Sequence, residues 1–214
     1  MEARLRPHHI LCAQNFVGYG YNEEFTGRMN RITESLMAGG EIILHEGCDD
    51  ICSACPNNKE GRCISLDKVD RMDREVLKVC DFSYGDRLDP EKARSYAKEK
   101  IFETEDFSRI CGGCQWYEIC RKIRIKVSRI EKYENIMHKA EMMLEGSMDY
   151  DAEVLREMVS ELAAYYESAE WKEDFADDEA GRLPKGIKRG VLSEDGIYDL
   201  LERYRDFCNK YKAD

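Results

Sequence analysis

The sequence is poor in proline and has no long apolar run. Four prolines and 15 glycines among 214 residues exclude a collagen-like, low-complexity or globally disordered chain. The longest uninterrupted apolar run, residues 162–166, is too short to span a membrane. Residues 1–12 also lack the apolar core of a signal peptide, so we expect a cytoplasmic protein in a reducing environment.

Basic charge is in deficit, with 33 basic against 44 acidic side chains and a net charge of −11, which argues against nucleic-acid binding. The deficit is uneven. Residues 1–128 carry 22 acidic and 20 basic side chains, whereas residues 129–214 carry 22 and 13. Nine of the ten cysteines precede residue 121. We therefore predict a cysteine-rich domain over residues 1–128 and an acidic helical domain over residues 129–214.

Hydrophobic periodicity predicts a mainly α protein with minor strand content. The acidic residues 173–179 are expected to form a solvated loop, and residues 48–63 and 110–120 are expected to be cysteine-bearing loops. The expected regular elements are two helical pieces within 7–38, a strand at 41–47, helices at 65–80, 89–101 and from 121 to 144, a second helix of a hairpin at 149–169, and a terminal helix capped by Ser193.

The cysteines form two similar triads. Cys52 and Cys55 are a C-x2-C pair followed by Cys63, and Cys111 and Cys114 are a second pair followed by Cys120. Two intervening residues allow both thiolates of a pair to converge on one metal centre. In a reducing compartment such clusters indicate metal ligation rather than disulfides.

The spacing of the cysteines alone does not decide between zinc and an iron–sulfur cluster. Cys52, Cys55, Cys111 and Cys114 could form a four-ligand zinc site. The additional cysteines suit an iron–sulfur cluster equally well, including a four-iron cluster that is held by three cysteines and has one open iron. The basic run from residue 121 to 129 is either a solvated helix face or a source of positive charge beside such a cluster.

Several sequence blocks are familiar: LRPHHILC, GYGYNEEF, DDICSACPN with Cys63, and ICGGCQWYEIC. Across residues 3–125 the chain resembles an uncharacterised bacterial and archaeal family described as iron–sulfur-binding proteins. The resemblance implies a 4Fe-4S cluster in preference to zinc, and it adds His9 as a metal-ligand candidate. The cysteines that it implies as ligands are Cys12, Cys52, Cys55, Cys63, Cys111, Cys114 and Cys120.

The blocks YYESAEWKEDFADDEAGRLP and KRGVLSEDGIYDLLE, within residues 129–206, resemble a second family of small, acidic, helical domains of unknown function. The chain is therefore similar to a fusion of two uncharacterised domains. Cys48, Cys80 and Cys208 are interpreted as cysteines without a ligand role.

These observations favour a protein with one 4Fe-4S cluster that acts as an electron carrier or redox-sensing module. The alternatives are a zinc-stabilised interaction module without redox chemistry and a cluster enzyme with one open iron, so enzyme activity stays an open question. The expected partners are a redox partner protein or a basic partner of the acidic domain, with no membrane and no nucleic acid.

Overall fold

The computed structural model describes residues 2–149, 151–193 and 195–211, and it is mainly α-helical, as predicted. The chain divides into two compact units, Met1–Arg121 (unit 1) and Lys122–Asp214 (unit 2). The division lies within one long helix, seven residues before the boundary predicted after residue 128. No helix in the described ranges has both the length and the apolar content needed to cross a membrane.

Unit 1 combines short strands with helices. The side chain of Asn22 accepts the Phe25 N–H at the start of the second helix. Asp89 directly precedes Pro90 and accepts the N–H groups of Glu91 and Lys92 at the start of the fourth helix. A π-helical turn, Lys98–Phe102, follows the fourth helix. The elements are β1 (Glu2–Leu5), α1 (Pro7–Gln14), α2 (Glu23–Met37), β2 (Glu41–Leu44), β3 (Asn58–Lys59), β4 (Arg62–Cys63), α3 (Leu66–Cys80), β5 (Arg87–Leu88), α4 (Pro90–Ala97), α5 (Asp106–Cys111) and the start of α6 (Tyr117–Leu144).

The main sheet of unit 1 has the strand order β1-β2-β5. Strand β1 pairs with β2 in parallel, and β2 pairs with β5 in antiparallel fashion. Alternate residues of β1 and β2 are buried, and they join one apolar core with side chains of α1 and α2. The sheet therefore supports α1, which carries two of the predicted ligands, His9 and Cys12.

Unit 2 contains the remainder of α6, α7 (Ala152–Glu167), α8 (Ala169–Glu179), a 3-10 turn (Gly190–Leu192) and α9 (Gly196–Tyr211). Asp151 caps α7, and the hydroxyl of Ser193 accepts the Gly196 N–H at the start of α9. The apolar faces of α6, α7 and α9 share one core.

The predicted acidic loop is wrong, because residues 169–179 form α8. Ser168 caps this helix by accepting the Trp171 N–H. The Asp174 side chain is fully buried and accepts two hydrogen bonds from Arg129, at 2.6 and 2.7 Å, and one from the Tyr165 hydroxyl at 2.9 Å. Lys126 pairs with two other acids of α8. Part of the basic run is therefore neutralised within unit 2.

Candidate metal centre

The segment that follows β2 folds so that its cysteines approach one another. The Cys55 N–H donates to the Cys52 carbonyl at 3.0 Å, and the side-chain amide of Asn58 donates to the same carbonyl at 3.0 Å. Asn58 is also paired with Cys63 across the β3–β4 hairpin. The hairpin turns at Glu60 and Gly61, which have φ of 52° and 86°, a conformation that glycine adopts without strain. This turn returns Cys63 to the first two cysteines.

The second triad lies where α5 ends and α6 begins. Cys111 is the last residue of α5, Cys114 lies in the turn, and Cys120 is in the first turn of α6. The Cys114 N–H donates to the Cys111 carbonyl at 2.8 Å. A Cβ at Gly112 would lie 2.4 Å from the Ser108 carbonyl oxygen, so the turn requires glycine there. The predicted loop is thus partly helical.

Helix α1 is attached to α3 by buried charges. Asp73 accepts hydrogen bonds from the Arg6 Nε at 2.7 Å and from the His8 N–H at 3.0 Å, and it lies 2.6 Å from the His8 Nδ1. The side chains of Arg6 and Asp73 are 1 % and 0 % exposed. Arg6 also pairs with Asp70. These contacts set the position of α1 and hence of Cys12.

Asp49 orients His9 and the start of the first cysteine loop. Its Oδ2 lies 2.6 Å from the His9 Nδ1 and accepts the Arg6 N–H at 2.6 Å, while its Oδ1 accepts the Cys52 N–H at 2.9 Å. Burial would raise the pKa of the Asp49 carboxyl, but His9 and these hydrogen bonds hold it well below its usual value. A carboxylate on one imidazole nitrogen leaves the other free for a ligand, as in many histidine–metal sites.

One cavity of about 140 Å³ brings most of the predicted ligands together. Aromatic and aliphatic side chains complete its wall, including Trp116, whose ring packs edge-on against Tyr21 at 5.7 Å. Cys111 is buried in a second apolar core of unit 1, formed mainly by α3 and α5, and does not line the cavity. The predicted ligands that line the cavity are His9, Cys12, Cys52, Cys55, Cys63, Cys114 and Cys120.

Burial controls the protonation of these thiols. It raises the pKa of Cys12 well above the usual thiol value, and the nearby thiols of Cys120, Cys114 and Cys111 raise it further. Burial likewise raises the pKa of Cys120 to about 11. The thiols of Cys12 and Cys120 are therefore protonated at neutral pH before a metal binds, and metal binding would release their protons.

Backbone N–H groups point at the sulfurs of the first loop. The Ser65 N–H donates to the Cys63 Sγ at 3.4 Å. The N–H groups of Asn57 and Asn58 oppose the burial that raises the pKa of Cys55. Such donors stabilise thiolate ligands and tune the potential of the metal that they hold.

Cys48, which is interpreted above as a cysteine without a ligand role, is half-buried and is not among the residues that line the cavity. Cys80 is the last residue of α3 and lies in the second core, where burial raises its pKa to about 11, and Cys208 lies on α9 of unit 2.

The sulfur spacing bears on the kind of metal. Among the described residues, the group of three or more ligand atoms within 4.8 Å of one another is His9, Asp49 and Cys52, which contains a single cysteine. Four thiolates around one zinc ion, each at about 2.3 Å, would lie about 3.8 Å apart. Thiolates on a four-iron cluster bind different irons and are farther apart. Among the described residues, no set of cysteine sulfurs therefore has the spacing of a tetrahedral zinc site.

Residues 20–120 match a family model described as a protein of unknown function (DUF1284). Residues 128–213 match a second, described as a domain of unknown function (DUF4298). No curated protein and no solved structure matches the chain. The two matched ranges lie one in each unit, and the first includes both cysteine triads.

Proposed function

We propose that unit 1 is an iron–sulfur protein whose cysteine thiolates hold a 4Fe-4S cluster and which carries electrons or senses redox state. The observation that supports this most strongly is the gathering of six predicted cysteine ligands and His9 around one cavity. The cysteines come from α1, from residues 52–63 and from the α5–α6 junction, which are far apart in sequence. The family that residues 3–125 resemble adds the same expectation.

The ligand chemistry favours iron–sulfur over zinc. Thiolates without other ligands bind both metals, but among the described residues no three cysteine sulfurs lie within 4.8 Å of one another, as they would around one tetrahedral ion. Backbone N–H groups beside Cys55 and Cys63 would stabilise the anionic ligand set. Apolar side chains such as Phe25 and Ile119 would limit access of water to the site.

The bound cluster would supply one-electron transfer, in which no covalent bond forms or breaks. The electron would come from a low-potential donor, such as a reduced flavoprotein or a second iron–sulfur protein, and would pass to an acceptor of higher potential. The chain's own contribution is to hold the sulfurs, with Asp49 fixing His9 and the start of the Cys52 loop. A basic partner could bind the acidic unit 2.

The experiment is purification of the full chain without oxygen, followed by iron, sulfide and zinc analysis and by reduction with dithionite. We expect iron and sulfide in equal amounts, and visible absorption that dithionite bleaches and an oxidant restores. Cys114→Ala should lower the iron content, whereas Cys208→Ala, on α9 of unit 2, should not. Colourless protein with stoichiometric zinc would refute the proposal.

A further inference from the structure

The β3–β4 hairpin carries one proposed cluster ligand from the cavity to the surface of unit 1. Cys63 and Ser65 line the cavity, and both also line an open groove of about 640 Å³ beside it, which we call the hairpin groove. Ile64 lies between them in the same groove, and it is 64 % exposed. A protein that filled the hairpin groove would therefore touch a ligand of the bound cluster.

Three cations line the hairpin groove. Lys59 and Arg62 come from the hairpin, and Lys68 comes from α3. In the part of the chain that the structure describes, none of the three forms an ion pair. Asp67 also lines the groove, and Glu60 lies at the hairpin turn. The groove therefore has an excess of positive charge, although the net charge of the whole chain is −11.

The fold places these cations where its own electrostatics oppose them. Lys59 and Arg62 are directly opposite each other in the register of the hairpin, and like charges in opposite positions destabilise a strand pair. Lys68 is the third residue of α3, where the partial positive charge of the helix N-terminus repels a cation. An anionic partner in the groove would remove both repulsions, because its carboxylates would lie among the three cations.

We propose that the hairpin groove is the docking surface for an acidic electron-donor protein. This inference rests on the proposed function and adds to it the place where the donor binds and the charge that the donor carries. Carboxylates of the donor pair with the three cations, and an apolar side chain of the donor packs on Ile64. Complexes between electron-transfer proteins have small interfaces that charge steers, so a short groove of this kind is adequate.

The transfer itself is simple to balance. One electron passes from the reduced centre of the donor, which is oxidised, to the oxidised cluster, which is reduced. No covalent bond forms or breaks.

The test is the rate at which a reduced, acidic, plant-type ferredoxin reduces the cluster of the full chain, which is purified without oxygen and followed by stopped-flow absorbance. For the wild type, the second-order rate constant should fall at least about tenfold between about 50 mM and about 500 mM salt, because salt screens the steering charges. The groove variant neutralises all three cations, as Lys59→Gln, Arg62→Gln and Lys68→Gln. It should react about tenfold more slowly at low salt and should lose most of the salt dependence.

The matched control also removes three positive charges, but from exposed side chains outside the groove: Arg31→Gln, Arg74→Gln and Lys78→Gln. Its rate should stay within about twofold of the wild type. Equal slowing of the control and the groove variant would overturn the inference, because total charge rather than the groove would then set the rate. The groove variant should be at least as stable to urea as the wild type, since it loses the repulsion between Lys59 and Arg62, and a lower stability would contradict the electrostatic argument.

Iron, sulfide and zinc analysis of every sample separates this inference from the proposed function. A groove variant that keeps its iron and sulfide and is reduced by ferredoxin at the wild-type rate overturns the docking surface and leaves an iron–sulfur protein. A wild type that dithionite reduces but ferredoxin does not also overturns the docking surface alone. Zinc in place of iron overturns both proposals.

A zero-length carbodiimide cross-link, which joins a carboxylate to a lysine in contact with it, locates the interface by mass spectrometry. In a mixture of the full chain and ferredoxin, the cross-link should join a ferredoxin carboxylate to Lys59 or Lys68. Cross-links to ferredoxin that involve only lysines outside the groove would overturn the inference. Cross-links from Lys59 or Lys68 to carboxylates of unit 2 would identify that acidic unit as the occupant and would overturn the donor assignment.

Discussion

Asp73 connects α3 to the segment that carries His9 and Cys12, and its replacement by asparagine is expected to destabilise unit 1. The carboxylate is fully buried and accepts hydrogen bonds from Arg6 and from the backbone of His8. Asparagine keeps the shape but removes the charge and one acceptor oxygen. The buried Arg6 cation would then be left with Asp70, whose side chain is 38 % exposed.

Removing one partner of a buried ion pair costs about 3–5 kcal/mol, because the other charge stays buried. Since Asp70 still compensates Arg6 in part, we expect the lower end of that range, about 3 kcal/mol. With a urea dependence of about 2 kcal/mol per molar, the unfolding midpoint of unit 1 should fall by about 1.5 M. The matched control is Asp70→Asn, which removes an exposed partner of the same arginine and should cost about 1 kcal/mol or less.

The assay is urea unfolding of protein purified without oxygen, with the metal content of each variant measured. The chain has two tryptophans, Trp116 in unit 1 and Trp171 in unit 2. A Trp171→Phe background therefore makes the fluorescence report on unit 1 alone. A loss below about 1 kcal/mol for Asp73→Asn, or a loss equal to that of Asp70→Asn, would refute the assignment of Asp73 as the main partner of Arg6.

The remaining predictions concern pH, the cysteine loop and unit 2. Although burial opposes the shift, hydrogen bonding lowers the pKa of the Asp73 carboxyl, so the stabilisation that Asp73 provides is complete above its unfolded pKa of about 3.9 and is lost as the pH falls below that value. The difference between the urea midpoints of the wild type and Asp73→Asn should therefore be constant above about pH 5 and should narrow below about pH 4. A difference that does not change with pH would contradict this. Asp49→Asn should speed iron loss to a chelator by about 10–100-fold, because Asp49 holds His9. Asp50→Asn, at a half-buried neighbour that accepts the Arg4 N–H, should leave the rate near that of the wild type. Equal rates for both variants would contradict the role of Asp49. Arg129→Gln leaves the Asp174 carboxylate buried without its cation and should destabilise unit 2 by about 3 kcal/mol, as followed by the tryptophan of unit 2; an unchanged midpoint would contradict it.

Local patterns predicted most helices of this fold. The Asp89-Pro90 pair marks the start of α4 as expected, and the apolar periodicity after Cys120 predicts α6 correctly although its first residues alternate in a strand-like way. Strand β1 and helix α8 were missed. The four residues of β1 are stabilised by pairing with β2, almost 40 residues away. Helix α8 depends on burying Asp174 against Arg129, 45 residues earlier in the chain, so its acidic composition alone suggests a solvated loop.

At the candidate site, too, local sequence patterns predict what lies close together in the chain but not contacts between distant segments. Spacing identified the Cys52–Cys55 and Cys111–Cys114 pairs, because the chemistry of a C-x2-C pair is local. Cys12 entered through resemblance, and the fold brings it to the cavity that Cys114 and Cys120 also line, a placement that no local pattern contains.

The most direct test of a thiolate-held iron–sulfur protein is the mass of the intact chain, measured by native mass spectrometry without exposure to oxygen. One measurement gives both the kind and the number of bound groups. We predict the mass of the chain plus one unit of four irons and four sulfides, with protons lost from the ligating thiols. A mass increase that corresponds to zinc ions, with no sulfide, would contradict the account.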